Sequence, residues 1–289
     1  MRATVIDHIG GAYESDSPSH RGFGAGYAGV VQTTEGRAFV KAVSADGHAD
    51  SLGFLRQEMS VLSAIPATLF PTLRLCVDSE DGAALVLDPI DGEHPGSPWT
   101  VGQLDAIAAA MAELAAAAAP ISLPDASEAV VPRYTRWQDI ARDEAMLHGL
   151  PLAIRARLPA LLEIERELAA TIAGDSVMHN DLRADNILLH DGTAHLLDWP
   201  HALRAAPWAD LPVLLPSIES GGGPRCEAAW QIFRRHGAPS PEALLPIAVG
   251  FASFLWHGQS LPEIPEIPGL RRFQRDQARA ALRWISTML

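Results

Sequence analysis

Two short runs, MHNDLRADNILL at residues 178–189 and AHLLDWPHA at residues 194–202, constrain this chain more than any other part of it. They set His179, Asp181 and Asn186 in the order H-x-D-x-x-x-x-N, with Asp198 twelve residues further on and Leu196-Leu197 leading into it. Two strand-like runs, 187–189 and 194–197, flank Asp191-Gly192, which predicts a short hairpin. Such a hairpin sets Asn186 and Asp198 at neighbouring strand ends. One carboxylate is then available to meet a hydroxyl. An amide oxygen and a second carboxylate suit Mg²⁺, which takes hard oxygen ligands and is commonly held by one or two carboxylates plus phosphate oxygens.

Composition sharpens this reading. The chain has two asparagines, Asn180 and Asn186, and both lie in this loop; its one lysine is Lys41, every other Lys or Arg being arginine. Arginine replaces lysine poorly where a compact point charge is needed, so a lysine kept in an arginine-rich chain points to a specific task.

A length of 289 residues allows one or two domains with a sizeable core. A hydrophobic fraction of 48% with 20% charged residues is that of a globular chain. The net charge of −13 argues against a nucleic-acid partner and is compatible with a cationic small molecule. Residues 78–150 hold thirteen acids against three arginines, which marks that region for substrate contact or, more plainly, as a solvated face. Cys76 and Cys226 have no metal-like spacing, and a reduced, cytoplasmic protein is the simple expectation. The N-terminus lacks the apolar core of a signal peptide, and the alanine-rich run near residues 106–119 is too weakly apolar to span a membrane. A monomer or weak dimer is expected.

From residue 22 onward, Gly24, Gly26, Gly29 and Val31 fit G-x-G-x-x-G-x-V within two β-rich runs around Thr34-Glu35-Gly36. Glycines let a backbone close over phosphates; because the run leads into a strand, a dinucleotide-binding βαβ unit is disfavoured. Residues 39–43 form the second strand, with Lys41 among apolar neighbours. Seventeen residues later, Glu58 lies in a helix over residues 52–62 whose stripe is Leu52, Leu55, Met59 and Leu62. Glu58 either pairs with Lys41 or is an exposed helix residue. Two strands follow at 73–77 and 83–87, joined by a turn at 78–82. Asp88-Pro89-Ile90 reads as a connector or an ordinary turn. Pro89 has no N–H, so the Asp88 carbonyl and the Ile90 N–H are the pair that an adenine would use.

Thr100 is a candidate N-cap for a helix reaching about residue 119. Residues 120–135 read as a loop, and residues 137–147 and 153–172 as two amphipathic helices. Residues 219–223 read as a flexible loop, followed by helices near 226–236, 241–257 and 270–288.

Together, the glycine-rich hairpin, Lys41, Glu58, the connector, His179, Asp181, Asn186 and Asp198 resemble the aminoglycoside phosphotransferase family, over nearly the whole chain. The resemblance implies a bilobal, α+β protein-kinase-like fold, with a nucleotide-binding lobe over residues 1–90 and a mainly helical catalytic lobe over 91–289. Three places depart from the family's common form: Asn180 stands where glycine is usual, Arg183-Ala184-Asp185 occupies the place of a frequent His-Pro-Gly run, and Asp198-Trp199-Pro200 replaces Asp-Phe-Gly. Asp210 is similar to the aspartate that braces the catalytic loop in this family, or is a plain N-cap. Only eleven residues separate Asp198 from Asp210, which leaves no platform for a protein substrate.

The chemistry implied is transfer of the γ-phosphoryl group of ATP, or of GTP, to a hydroxyl. Asp181 would receive the hydroxyl proton. Asn186 and Asp198 would hold Mg²⁺, and Lys41, set by Glu58, the phosphates. Arg183 either meets the γ-phosphate or pairs with Asp185. Asp139, Asp143 and Glu144, expected on one helix, would receive a cationic, hydroxyl-bearing antibiotic, an aminoglycoside or a tuberactinomycin-type peptide, and so confer resistance. The alternatives are a metabolic kinase acting on choline, homoserine or a sugar, and a nucleotide-binding pseudokinase.

Overall fold

In the computed structural model, residues 2–18, 26–46, 49–96, 98–265 and 267–289 are described. Contacts divide the chain into two compact units, residues 1–93 with 195–201, and residues 94–194 with 202–289.

The first unit is built on a five-stranded antiparallel sheet. Its elements are α1 (Arg2–Ile9), β1 (Tyr13–Pro18), β2 (Tyr27–Thr33), β3 (Arg37–Ser44), α2 (Ala49–Leu62), β4 (Leu73–Ser79) and β5 (Gly82–Leu87). The strand order is β1-β2-β3-β5-β4. The β2–β3 turn is closed by Thr33, whose buried hydroxyl accepts the N–H of Gly36 at 3.1 Å and that of Glu35 at 3.3 Å. This is local side-chain competition for backbone donors of the kind that favours turns. The stripe expected on α2 is buried as Leu52, Leu55, Met59 and Leu62, and Glu58 is buried with them.

Neither α1 nor β1 was legible in the sequence. The eight residues of α1 are too few for a helix to be stable alone. Val5 holds it in place by packing with Val31, Ala38, Val40, Ala84 and Val86 on the sheet. The strand β1 is mostly polar and exposed along its length, as an edge strand can be.

The second unit is mainly helical. Its first helix, α3 (Val101–Ala116), begins with a reciprocal capping box: Thr100 accepts from Gln103 N–H, and the Gln103 side chain accepts from Thr100 N–H. Residues 120–135 are not simply a loop, because Ala126–Ala129 (α4) and Val131–Tyr134 (α5) are helical. Ala126, Val130 and Tyr134 are buried at helical spacing, a stripe hidden in the sequence by the surrounding polar residues.

The single helix expected over 137–147 is broken into α6 (Trp137–Arg142) and α7 (Glu144–Gly149). Asp143 causes the break: it leaves helical geometry and accepts the Met146 N–H at 2.8 Å, as an N-cap does. The helix expected over 153–172 is three pieces, α8 (Leu152–Arg155), α9 (Leu158–Glu165) and α10 (Leu168–Ile172). Pro159 in the first turn of α9 forbids continuation from α8, and three-residue hydrogen bonds at Arg166 and Glu167 end α9.

The chain continues through β6 (Ser176–Met178), β7 (Ile187–His190), β8 (Thr193–Leu196) and β9 (Leu203–Ala205); β6 pairs with β9, and β7 with β8 as the expected hairpin. At its turn, Asp191 and Gly192 have φ of 48° and 77°, matching the tight hairpin turns that Asp-Gly favours. The helices α11 (Leu211–Ser220), α12 (Cys226–Arg235), α13 (Leu245–Gly258) and α14 (Leu270–Ile285) complete the fold. Glu219 closes α11 rather than opening a flexible loop, because Arg283 of α14 donates to its carboxylate at 2.8 and 2.5 Å. Among the described residues, no helix is long and apolar enough to cross a membrane.

Candidate active site

In the first unit, Lys41 on β3, Glu58 on α2 and Asp198 converge. The Lys41 ammonium donates to both Glu58 oxygens at 2.7 Å and to Asp198 Oδ1 at 2.9 Å. Burial by itself would push the ammonium's pKa down. The charges and hydrogen bonds of the two carboxylates outweigh that, so Lys41 is held protonated above its ordinary value. Glu58 also accepts the N–H of Trp199 at 3.3 Å. The Trp199 ring is buried where phenylalanine is usual, and its indole N–H is satisfied by the Leu196 carbonyl at 3.1 Å. Asp198 sits at φ 68°, a backbone region that non-glycine residues seldom adopt.

The strand register adds a residue not singled out from the sequence. Side chains alternate along a strand, so Phe39 shares the Lys41 face of β3. Lys41 pairs with Ala28 and Phe39 with Val30 across β2, while Phe39 pairs with Leu87 across β5. Phe39 is partly buried, and its spacing of two from Lys41 was the signal available. Gly29 and Val31 lie on the opposite face. A side chain at Gly29 would meet the Ser17 carbonyl at 2.6 Å and Pro18 at 2.8 Å, so its smallness admits β1. A side chain at Gly26 would meet the Ala42 carbonyl at 2.8 Å. Gly24 lies outside the described residues. Asp88 and Ile90 follow β5 and are partly buried; the Asp88 N–H donates to Thr72 at 2.9 Å and its carboxylate pairs with Arg74.

In the second unit, the loop over residues 179–186 is held at its start by Asp210, at the beginning of α11. Asp210 makes no side-chain cap there. Its two carboxylate oxygens instead accept the consecutive N–H groups of His179 and Asn180, each at 2.7 Å. The plain N-cap alternative is therefore replaced by a brace on the loop. Burial pushes the Asp210 carboxyl up to about 7, against the lowering effect of those two hydrogen bonds. Asn180 has φ 63°, which explains why glycine or asparagine suits this position: both tolerate left-handed backbone.

Asn186 donates its amide to the Asp181 carbonyl at 2.8 Å and to Asp181 Oδ2 at 3.1 Å. Its amide oxygen, the other end of the group, is the atom suited to a cation. Arg183 pairs with Asp185 at 3.0 Å and stands 3.6 Å from Asp181 Oδ1.

The three acids proposed for a cationic ligand do not share one helix. Asp139 lies on α6 and pairs with Arg136 at 3.2 Å, Asp143 caps α7, and Glu144 opens α7. All three are exposed. Among the described residues, no group of three or more His, Cys, Asp or Glu side chains is arranged to hold a metal ion. Asp198 in the first unit and Asn186 in the second each offer a hard oxygen of the kind that Mg²⁺ takes.

A sequence model of the phosphotransferase enzyme family, APH, matches residues 20–246. The chain belongs to this family. It is a small-molecule phosphotransferase with an α+β, protein-kinase-like fold, as the resemblance implied. Among solved structures, a putative aminoglycoside phosphotransferase from Ralstonia eutropha superposes with a TM-score of 0.62 at 13% identity, covering 99% of this chain and 97% of that one. Choline kinase LicA from Streptococcus pneumoniae gives 0.60 at 14% identity, covering 96% and 94%. An ADP-bound aminoglycoside phosphotransferase, APH(2'')-Ib, gives 0.57 at 14% identity, covering 96% and 97%. These likenesses establish the fold. A search of curated protein sequences finds no match.

Proposed function

We propose that this phosphotransferase moves the γ-phosphoryl group of ATP to a hydroxyl of a small cationic acceptor, an aminoglycoside or a tuberactinomycin-type peptide, in the cytoplasm. The observation that carries the reading is the Lys41–Glu58–Asp198 constellation. A buried carboxylate that orients an ammonium beside a second carboxylate is what nucleotide phosphates and a divalent cation require. The nucleotide-bound neighbour supports ATP as donor.

In this reading Asp181 orients the acceptor hydroxyl and takes its proton. Asn186 fixes Asp181 through its amide nitrogen, and its oxygen and the Asp198 carboxylate would hold Mg²⁺. Bound there, the cation would neutralise phosphate charge. Lys41 binds the α- and β-phosphates, and the purine packs on Phe39 with its edge toward the Asp88 carbonyl and the Ile90 N–H. Gly24, Gly26 and Gly29 are assigned to phosphate binding on the strength of their sequence motif alone. Acceleration comes from positioning and charge placement rather than covalent chemistry.

A metabolic acceptor of the choline type is the second reading. It is favoured by the engagement of Asp139 with Arg136 and of Asp143 with the α7 terminus, which leaves the acidic trio less free charge for a polycation. A nucleotide-consumption screen over aminoglycosides, tuberactinomycins and small amino alcohols, with product mass measured, separates the two. Asp181→Ala should abolish most turnover while nucleotide affinity is kept; a variant that turns over like the wild type overturns the assignment.

A further inference from the structure

We propose that Phe273, on the C-terminal helix, is a positioning residue for phosphoryl transfer that acts through Arg183. The proposal rests on the phosphotransfer reading and extends it to a residue remote in sequence from the catalytic loop.

The Arg183 guanidinium carbon lies 5.3 Å from the centroid of the Phe273 ring. A guanidinium is a planar cation that can stack its face on an aromatic ring while its N–H groups bond carboxylates in its own plane. Arg183 has both kinds of partner. Its Nη2 is 3.0 Å from Asp185 Oδ2, and its Nε is 3.6 Å from Asp181 Oδ1. The other Asp181 oxygen, Oδ2, accepts from Asn186 at 3.1 Å. One oxygen of the proposed base thus accepts a hydrogen bond from Asn186, and the other lies at ion-pair distance from Arg183.

Phe273 is 37% exposed, which is more than a core packing role requires. Its helix neighbours are pinned. Arg271 donates to the Pro262 carbonyl at 2.9 Å and to Gln274 at 2.8 Å, and both Arg271 and Gln274 are buried. The ring therefore projects from a fixed helical turn onto a long, flexible side chain. Without it, Arg183 would keep Asp185 as a partner but lose the surface that holds its plane beside Asp181. The acceptor hydroxyl would then meet a less ordered carboxylate, so the loss falls on turnover and not on nucleotide binding.

The test is steady-state kinetics with ATP and the acceptor found in the screen, together with the Arg183 Nε–H resonance. Phe273→Leu, with Phe273→Met as a second variant should leucine disturb folding, is expected to lower kcat about 3- to 30-fold, the range of a cation–π contact. KM for ATP should stay within about twofold. Phe273→Tyr keeps the ring and should keep kcat. In an Arg183→Met background Phe273→Leu should have no further effect, and in otherwise native protein it should remove the ring-current shift of the Arg183 resonance. Unchanged kcat in Phe273→Leu, an equal loss in both Arg183 backgrounds, a tyrosine variant as poor as leucine, or a resonance indifferent to Phe273 each overturns the proposal while the phosphotransfer reading stands. A wild-type protein that consumes nucleotide with no acceptor overturns that reading first, and this proposal with it.

Discussion

The Asp210 carboxylate accepts the backbone N–H of Asn180 at 2.7 Å, across thirty positions of sequence, and thereby ties the start of α11 to the loop that carries Asp181. Asp210 is buried and its carboxyl is raised to about 7. The folded chain therefore holds this proton more tightly than the unfolded chain does. Its stabilising contribution is complete below pH about 4 and is lost as pH rises through about 7. The difference of roughly three units corresponds to about 4 kcal/mol at most. Urea unfolding of wild type and Asp210→Asn across pH 4–8 should show the wild type gaining on the variant as the pH is lowered. A constant difference would remove Asp210 as the titrating group.

Asn180 supplies a second prediction. At φ 63° a β-branched side chain is strained. Asn180→Gly should fold with a stability change within about 1 kcal/mol and retain turnover, whereas Asn180→Val should lose about 2 kcal/mol and most activity. Equal tolerance of glycine and valine in denaturation and kcat measurements would show that the left-handed conformation is not required.

Glu58 is buried while Lys41 is partly open, and the pair has a further carboxylate beside it in Asp198. Glu58→Gln leaves the ammonium with Asp198 alone and removes the charge that orients it. Breaking a buried ion pair from one side costs about 3 kcal/mol or more. Fluorescent-nucleotide titration should show weakened binding, with kcat/KM for ATP falling about 10- to 100-fold. Native affinity in this variant would mean that Asp198 orients Lys41 unaided.

Phe39 tests where the purine lies. Phe39→Ala should raise KM for ATP about tenfold, with little effect on kcat, whereas Phe39→Tyr should be near native. A change confined to kcat would place the ring elsewhere.

Much of this enzyme was legible as one-dimensional pattern. Lys41, Glu58, Asp181, Asn186 and Asp198 could be singled out as candidates because phosphoryl transfer limits which side chains serve, and a lone lysine and two asparagines stood out against the composition. The β2–β3 and β4–β5 hairpins and the stripe of α2 were readable because local chemistry fixes them: turn residues and hydrophobic period. The segments misread were those whose conformation is set by a distant partner or a single capping side chain. Helix α1 exists because Val5 meets the sheet, and the last residues of α11 stay helical with Arg283 on Glu219. The helix expected over 137–147 divides because Asp143 turns back on Met146 N–H.

The sequence by itself determined the reaction class, since the residue types and spacing of residues 179–198 with Lys41 already mark a phosphotransferase. Only the tertiary structure decided that Asp210 braces the loop rather than capping its helix, that Phe39 shares a face with Lys41, and that Phe273 reaches Arg183. Those relationships depend on strand register and helix placement, which arise from burial of residues far apart in the chain and leave no local periodic trace.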